Sequence, residues 1–238
     1  MGTKTATITI DDKEVKVSPG QTIMQAADKA GIYIPRLCYR DDLHQAGHCR
    51  VCTVKINGKP ANACNMPAQN GMIIENDTAE LNEMRRHIIE MMLVEGNHIC
   101  PYCEKAGNCE LQALAYRFGV TAPKYPYLYP KIEVDASHPD VYIDRNRCVL
   151  CGRCVRASRD VDGKSVFGFE GRGINMRVTV NSEEGLSETQ LSLADKAADI
   201  CPTGSIVIKR KGYSMPYGTR LYDKVPIGAD IEKKTKKI

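Results

Sequence analysis

The 238-residue chain has no tryptophan and only three phenylalanines, and aromatic residues make up 6% of it. With so little ring surface, its cores are expected to be small and aliphatic. No apolar run approaches the roughly 20 residues needed to cross a bilayer as a helix. The start, "MGTKTATITIDDKEV", lacks the apolar stretch of a secretory signal, and Ala6 stands where a myristoylation motif wants Ser or Thr. A cytoplasmic location is therefore expected, with no membrane span. Phosphate-binding glycine motifs are missing as well. No G-x-G-x-x-G follows a strand, "GFEGRGINM" being wrongly spaced, and there is no Walker A sequence. No site for NAD or flavin is expected on this chain.

Net charge is +4 but unevenly spread. Residues 209–238 hold nine Lys/Arg against three Asp/Glu, a net +6, which leaves −2 for the rest. A nucleic-acid-binding body would be basic across its fold, so no nucleic-acid partner is expected. The tail reads as a docking arm.

Cysteine is abundant, at eleven. The number is odd and the expected compartment reducing, so metal ligation is a better reading than a disulfide framework. In "NRCVLCGRCVRASRD", Cys148, Cys151 and Cys154 follow C-x2-C-x2-C, yet the next step of x3 brings Ser158. Cys201 precedes Pro202, as does the fourth cysteine of the bacterial ferredoxin run, which ligates the other cluster of a pair. The same spacing counted back from Cys201 reaches Ala197, Ala194 and Leu191. One set of four ligands is thus absent whole (Ser158, Leu191, Ala194, Ala197). The other, Cys148, Cys151, Cys154 and Cys201, is complete and suits a [4Fe–4S] cubane. A structural zinc site is the alternative, although zinc usually takes its ligands as two separated pairs.

Cys38, Cys49, Cys52 and Cys64 form a second set, C-x10-C-x2-C-x11-C. The central pair and late fourth cysteine match a plant-type [2Fe–2S] pattern, with a first gap of ten rather than four. Zinc is again the alternative. The middle stretch, "HICPYCEKAGNC", offers Cys100, Cys103 and Cys109. A [4Fe–4S] cluster wants a fourth ligand, and imidazole can replace thiolate; His98 is the nearest candidate. His44, His48, His87 and His138 are read as ordinary polar residues. Four, three and four cysteines use all eleven, leaving no thiol for a nickel–iron centre or a catalytic nucleophile.

The expected fold is α+β in several small units. Residues 1–78 read as a [2Fe–2S] domain: "TATITI" and "EVKV" alternate around "DDK", and a helix follows with Ile23, Ala26, Ala27 and Ala30 on one face. Residues 79–120 read as a small helical [4Fe–4S] domain, opened by a capping box of Asp77 and Glu80, with Leu81, Met84, Ile88 and Met91 on one face. Residues 121–140, rich in Pro and Tyr, read as a linker. Residues 141–208 read as a single-cluster ferredoxin-like domain, and 209–238 as the basic tail.

These spacings, with "VEGNHICPYCEKAGNCELQA" and "GYSMPYGTRLYD", resemble the N-terminal iron–sulfur region shared by the large peripheral subunit of respiratory complex I and the iron-only hydrogenases. Within that group they resemble the small diaphorase subunits of NAD-reducing soluble [NiFe] hydrogenases. The resemblance implies a β-grasp [2Fe–2S] domain, a histidine-plus-three-cysteine [4Fe–4S] domain and a bacterial-ferredoxin-like domain with one of two clusters lost. It implies an electron-transfer role, a partner bearing FMN and the NAD site, and the small and large subunits of a [NiFe] hydrogenase. An NAD-linked formate dehydrogenase or a complex I-like module would use the same wire, and a zinc-stabilised interaction protein is the alternative of another class. In the relatives the histidine usually precedes its cysteine as H-x3-C; here it is H-x-C, with Gly96 at the usual position.

Overall fold

The computed structural model describes residues 6–233. Strands β1 (Ala6–Ile10) and β2 (Lys13–Val17) form an antiparallel hairpin through Asp11 and Asp12, both at positive φ (45° and 65°). Short acidic side chains tolerate that region, and a two-residue turn with both φ positive matches the twist of its strands. Helix α1 (Ile23–Lys29) starts with a full capping box between Thr22 and Gln25. Its C-cap is Ala30, so that residue ends the expected apolar face from just outside the helix. Strands β3 (Thr53–Ile56) and β4 (Lys59–Asn62) pair through an Asn57–Gly58 turn, and β5 (Ile73–Glu75) runs parallel to β1. The sheet order is β2-β1-β5-β3-β4. Ile23, Met24, Ala26 and Ala27 of α1 are buried with Ile8, Ile10, Val54 and Ile74 of the sheet, the β-grasp arrangement.

Helix α2 (Ala79–Glu95) departs from expectation at its start and on its face. Its N-cap is Thr78, whose side chain accepts from Leu81 N; Asp77 accepts from the Asn82 side chain, and Glu80 pairs with Lys55. The buried positions are Leu81, Arg85, Ile89, Glu90 and Val94, whereas Met84 and Ile88 are half-buried and Met91 is exposed. The cause is Arg85. Its guanidinium donates to the carbonyls of Val51, Thr53 and Asn76 and to the side chains of Asn76 and Asn82, at 2.8–3.2 Å. Those acceptors pull a charged residue onto the core face and turn the helix around it. Helix α3 (Glu110–Arg117) follows, with Leu111, Ala113, Leu114 and Ala115 buried.

Residues 121–140 carry no regular strand or helix, but they are pinned. Leu128 N donates to Val94 O, and the Asn146 side chain bonds both the N–H and the carbonyl of Ile132. In the third unit, β6 (Val141–Ile143) pairs with β9 (Ile206–Ile208), and β7 (Phe167–Glu170) with β8 (Arg177–Val180). Helix α4 (Arg153–Arg156) continues into a π-helical turn, Ala157–Val161, and α5 (Lys196–Asp199) leads to Cys201.

The tail folds back over its own chain, where the sequence suggested a docking arm. Tyr213 OH donates to Tyr102 O, Leu221 N to the Asn108 side chain and Tyr222 N to Gly107 O. Arg117 then holds Ile227 O and the Glu232 carboxylate, and Ile227 and Ala229, the latter in α6 (Ala229–Glu232), are buried. Lys234, Lys236 and Lys237 lie outside the described residues.

Candidate metal centres

All eleven cysteines are free thiols, eight of them buried and three half-buried. Cys38 and Cys49 face one another across the first loop: Cys38 N lies 3.4 Å from Cys49 Sγ, and Cys49 N 3.5 Å from Cys38 Sγ. The β3–β4 register pairs Thr53 with Asn62, which brings Cys52 and Cys64 to one end of that hairpin. Hydrogen bonding inside each pair splits the thiols, lowering Cys38 and Cys64 and raising Cys49 and Cys52.

The middle set sits between α2 and α3. Cys100 opens a single 3-10 turn, and Cys109 is the N-cap of α3, its Sγ accepting from Gln112 N at 3.5 Å. Burial pushes the Cys109 thiol up to about 12. His98 is half-buried, and its Nε2 is sealed from solvent without a hydrogen-bond partner. Burial, then the neighbouring Arg147, hold the imidazole down at about 4, so it is neutral at pH 7. A Cβ on Gly96 would stand 2.7 Å from that Nε2. Glycine at 96 is what makes room for the ring of His98. Cys103 is enclosed from the third unit: Arg147 Nη1 lies 3.9 Å from its Sγ, and a Cβ on Gly204 would stand 2.6 Å from it.

Cys148, Cys151, Cys154 and Cys201 line one cavity, closed by Ile143, Val178, Thr203 and Ser205. Burial raises the thiols of Cys148 and Cys151 to about 11 and 12, and holds that of Cys154 well above its ordinary value. The position where a second cubane would sit is filled. Leu191 and Ala197 are buried in an apolar cluster with Ala157, Val166, Phe167, Val180 and Leu186. Ser158 Oγ accepts from Val166 N at 2.7 Å, and the Asp162 carboxylate accepts from Lys196 N and Ala197 N. Ala194, the remaining position, is exposed.

The donor sets fit iron–sulfur clusters in kind: soft thiols with no disulfide, and one neutral imidazole with an open nitrogen. Among the described residues no three His, Cys, Asp or Glu side chains close around a single metal ion. Counting ligands could not reveal Gly96, Gly204 or Arg147, because their roles depend on what faces them across the fold.

Three family matches cover separate stretches of the chain. Residues 3–79 match a 2Fe-2S iron-sulfur cluster binding domain, 85–124 the NADH-ubiquinone oxidoreductase-G iron-sulfur binding region, and 138–207 the ferredoxin-like domain of NADH-quinone oxidoreductase subunit 3. The gamma subunit of the NAD-reducing hydrogenase HoxS of Cupriavidus necator is 39% identical over 217 residues, 91% of this chain and 92% of the relative. The chain belongs to the family of that gamma subunit. A chain in a crystal structure of NAD+-reducing [NiFe]-hydrogenase in the H2-reduced state superposes with a TM-score of 0.92, at 44% identity, covering 97% of this chain and 98% of that one. The mitochondrial NADH-ubiquinone oxidoreductase 78 kDa subunit of Candida albicans is 35% identical over 85% of this chain, which spans only 28% of that longer relative. Among the described residues no helix is long and apolar enough to cross a membrane.

Proposed function

We propose that this family member carries one [2Fe–2S] cluster on Cys38, Cys49, Cys52 and Cys64, and two [4Fe–4S] clusters. One of these is held by His98, Cys100, Cys103 and Cys109, the other by Cys148, Cys151, Cys154 and Cys201. The chain conducts electrons between a partner bearing FMN and the NAD site and the small and large subunits of a [NiFe] hydrogenase. The carrying observation is that every cysteine falls into one of three sets and none forms a disulfide. When bound, each cluster supplies a one-electron relay. The chain's own residues hold the ligands, exclude water and set charge. Cys109 is the N-cap of α3, and the hydrogen bond from Gln112 N to its Sγ offsets part of the burial that raises its thiol. Arg147 places a cation beside Cys103. The likeness to the NADH-ubiquinone oxidoreductase 78 kDa subunit keeps a complex I-like assembly as the second reading.

Anaerobic purification tests the assignment. About ten irons per chain and no zinc are expected. About fourteen would restore the lost cubane, and a colourless zinc protein would end the reading. Because the second-cubane position is packed, Ser158→Cys should leave the iron count unchanged. Cluster reduction by NADH should require the flavin-bearing partner, and reduction by hydrogen the hydrogenase pair. NADH oxidation by the isolated chain at the rate of the complex would reveal a missed nucleotide site. Addition of complex I partners instead would decide for the second reading if only they restored NADH-dependent reduction.

A further inference from the structure

Arg156 occupies the seam between two ligand loops. It is 5% exposed and ends the short helix that contains Cys154. Its Nη2 donates to Cys38 O at 2.7 Å and to Cys151 O at 3.2 Å, its Nε to Gly152 O at 3.1 Å, and its Nη1 to His44 O. Every one of these acceptors is a main-chain carbonyl. Neighbouring Arg153, which also faces Cys151 and Cys201, differs in having a carboxylate partner: it is paired with Glu110 at 2.6 and 2.7 Å, besides donating to Tyr39 O. The two loops also meet beside Arg156. His48 Nδ1 lies 3.4 Å from Leu150 O, and a Cβ on Gly152 would stand 2.8 Å from the His48 ring. A buried cation whose hydrogen bonds all go to carbonyl dipoles is costly unless negative charge lies near it, and the one carboxylate that faces it among the described residues, Asp160, is exposed and already paired with Arg159. Cys38 faces it from one loop, and the guanidinium touches the main chain of Cys151 on the other, so ligand thiolates at the two loaded sites would supply that charge.

We propose that Arg156 is a positioning residue shared by the N-terminal and C-terminal cluster sites. It joins the main chain of Cys38 to that of Cys151 and sets the reduction potentials at both sites together. This inference rests on the cluster assignment above. Reduction adds one negative charge to a site, and a nearby buried cation favours the more negative state. Burial keeps counterions from screening the effect. The middle site has a different cation, Arg147 beside Cys103, and should respond little to changes at Arg156.

The test compares Arg156→Gln, which removes the charge but keeps an amide donor, with Arg156→Lys, which keeps the charge and loses the planar fork. Both are made in the full chain within its complex, and redox titrations are followed by EPR. In Arg156→Gln the reduction equilibria of the [2Fe–2S] site and the Cys148–Cys201 site should each fall about tenfold, which is about 59 mV for a one-electron couple. The middle site should stay put, and Arg156→Lys should remain close to the unaltered protein. Unchanged potentials in a fully loaded Arg156→Gln protein overturn the proposal, as does a shift at only one of the two sites. Equal shifts in both variants, or loss of iron from both, would make Arg156 a structural pin and overturn it too. An unaltered protein without the three-cluster iron count would instead fail the assignment beneath it, whatever Arg156 does.

Discussion

The ring of His98 lies against a backbone position that tolerates no side chain. Gly96 stands where the resemblance expects the histidine, and any Cβ there would press on Nε2. Moving the imidazole two residues toward Cys100 therefore requires a glycine at the vacated position. A buried ring nitrogen without a partner is costly to leave unmet, and the neutral imidazole here has the protonation state that a metal ligand needs. His98→Ala should accordingly remove or convert only the middle cluster, leaving the other two EPR signals in place. His98→Cys should lower that cluster's potential, because an anionic thiolate replaces a neutral ligand. A middle cluster unaltered in His98→Ala would assign its fourth ligand to another group. The candidate itself was legible from a vacancy in the ligand count. The reason for its spacing was not, since a glycine's meaning depends on which atoms face it.

Among the elements, the hairpins were the most legible and α2 the least. Asp11–Asp12 and Asn57–Gly58 carry turn chemistry within a few residues, so the sequence around them suffices to place β1–β2 and β3–β4. Helix α2 defeats pattern reading because its core face contains Arg85 and Glu90. Periodicity assigns charged residues to water, and only tertiary structure reveals that three backbone carbonyls from the first unit converge on Arg85. This side chain bolts the middle unit to the β-grasp sheet. Arg85→Met should leave those acceptors unpaired in a buried site and destabilise the loaded protein by about 3 kcal/mol. Arg85→Lys should recover only part of the loss, since an ammonium cannot reproduce the fork. Denaturant midpoints of the three proteins check this, and a midpoint unchanged in Arg85→Met would show that water satisfies the carbonyls. The second-cubane position is intermediate in legibility. Four substitutions announce the loss in the sequence, but the apolar cluster of Val166, Phe167, Leu186 and Leu191 that fills the space appears only in the fold.

At the scale of the whole molecule, three small units with few aromatics share an apolar cluster, with Leu37 and Val51 of the first, Ile89 and Leu114 of the second, Cys151 of the third and Ile227 of the tail, and polar crossings tie them further. Arg85 joins the first unit to the second, Arg153 with Glu110 joins the third to the second, and Arg156 joins the third to the first. The tail is a fourth tie. It leaves β9, passes the loop before Cys109 through Gly107 and Asn108, and ends with Gly228 (φ +89°) flat against the ring of Tyr33 in the first unit. The Tyr33 ring also lies under the guanidinium groups of Arg36 and Arg117, at 5.2 and 4.8 Å. The charge count that suggests a docking arm does not show that Lys209 and Arg210 already hold carbonyls of Ala136, His138 and Pro139. Truncation after Ile208 should therefore strip the cover from the Cys109 loop. About four of the ten irons should be lost, with the middle EPR signal, while the other two signals persist. Gly228→Ala, which forces the strap off Tyr33, should lower thermal stability without removing iron. Removing only residues 234–238, with their three lysines, separates cover from docking: iron should stay at its full count while assembly with the partner subunits becomes weaker and more sensitive to salt. Full iron content after the Ile208 truncation would return the whole segment to the role of a docking arm.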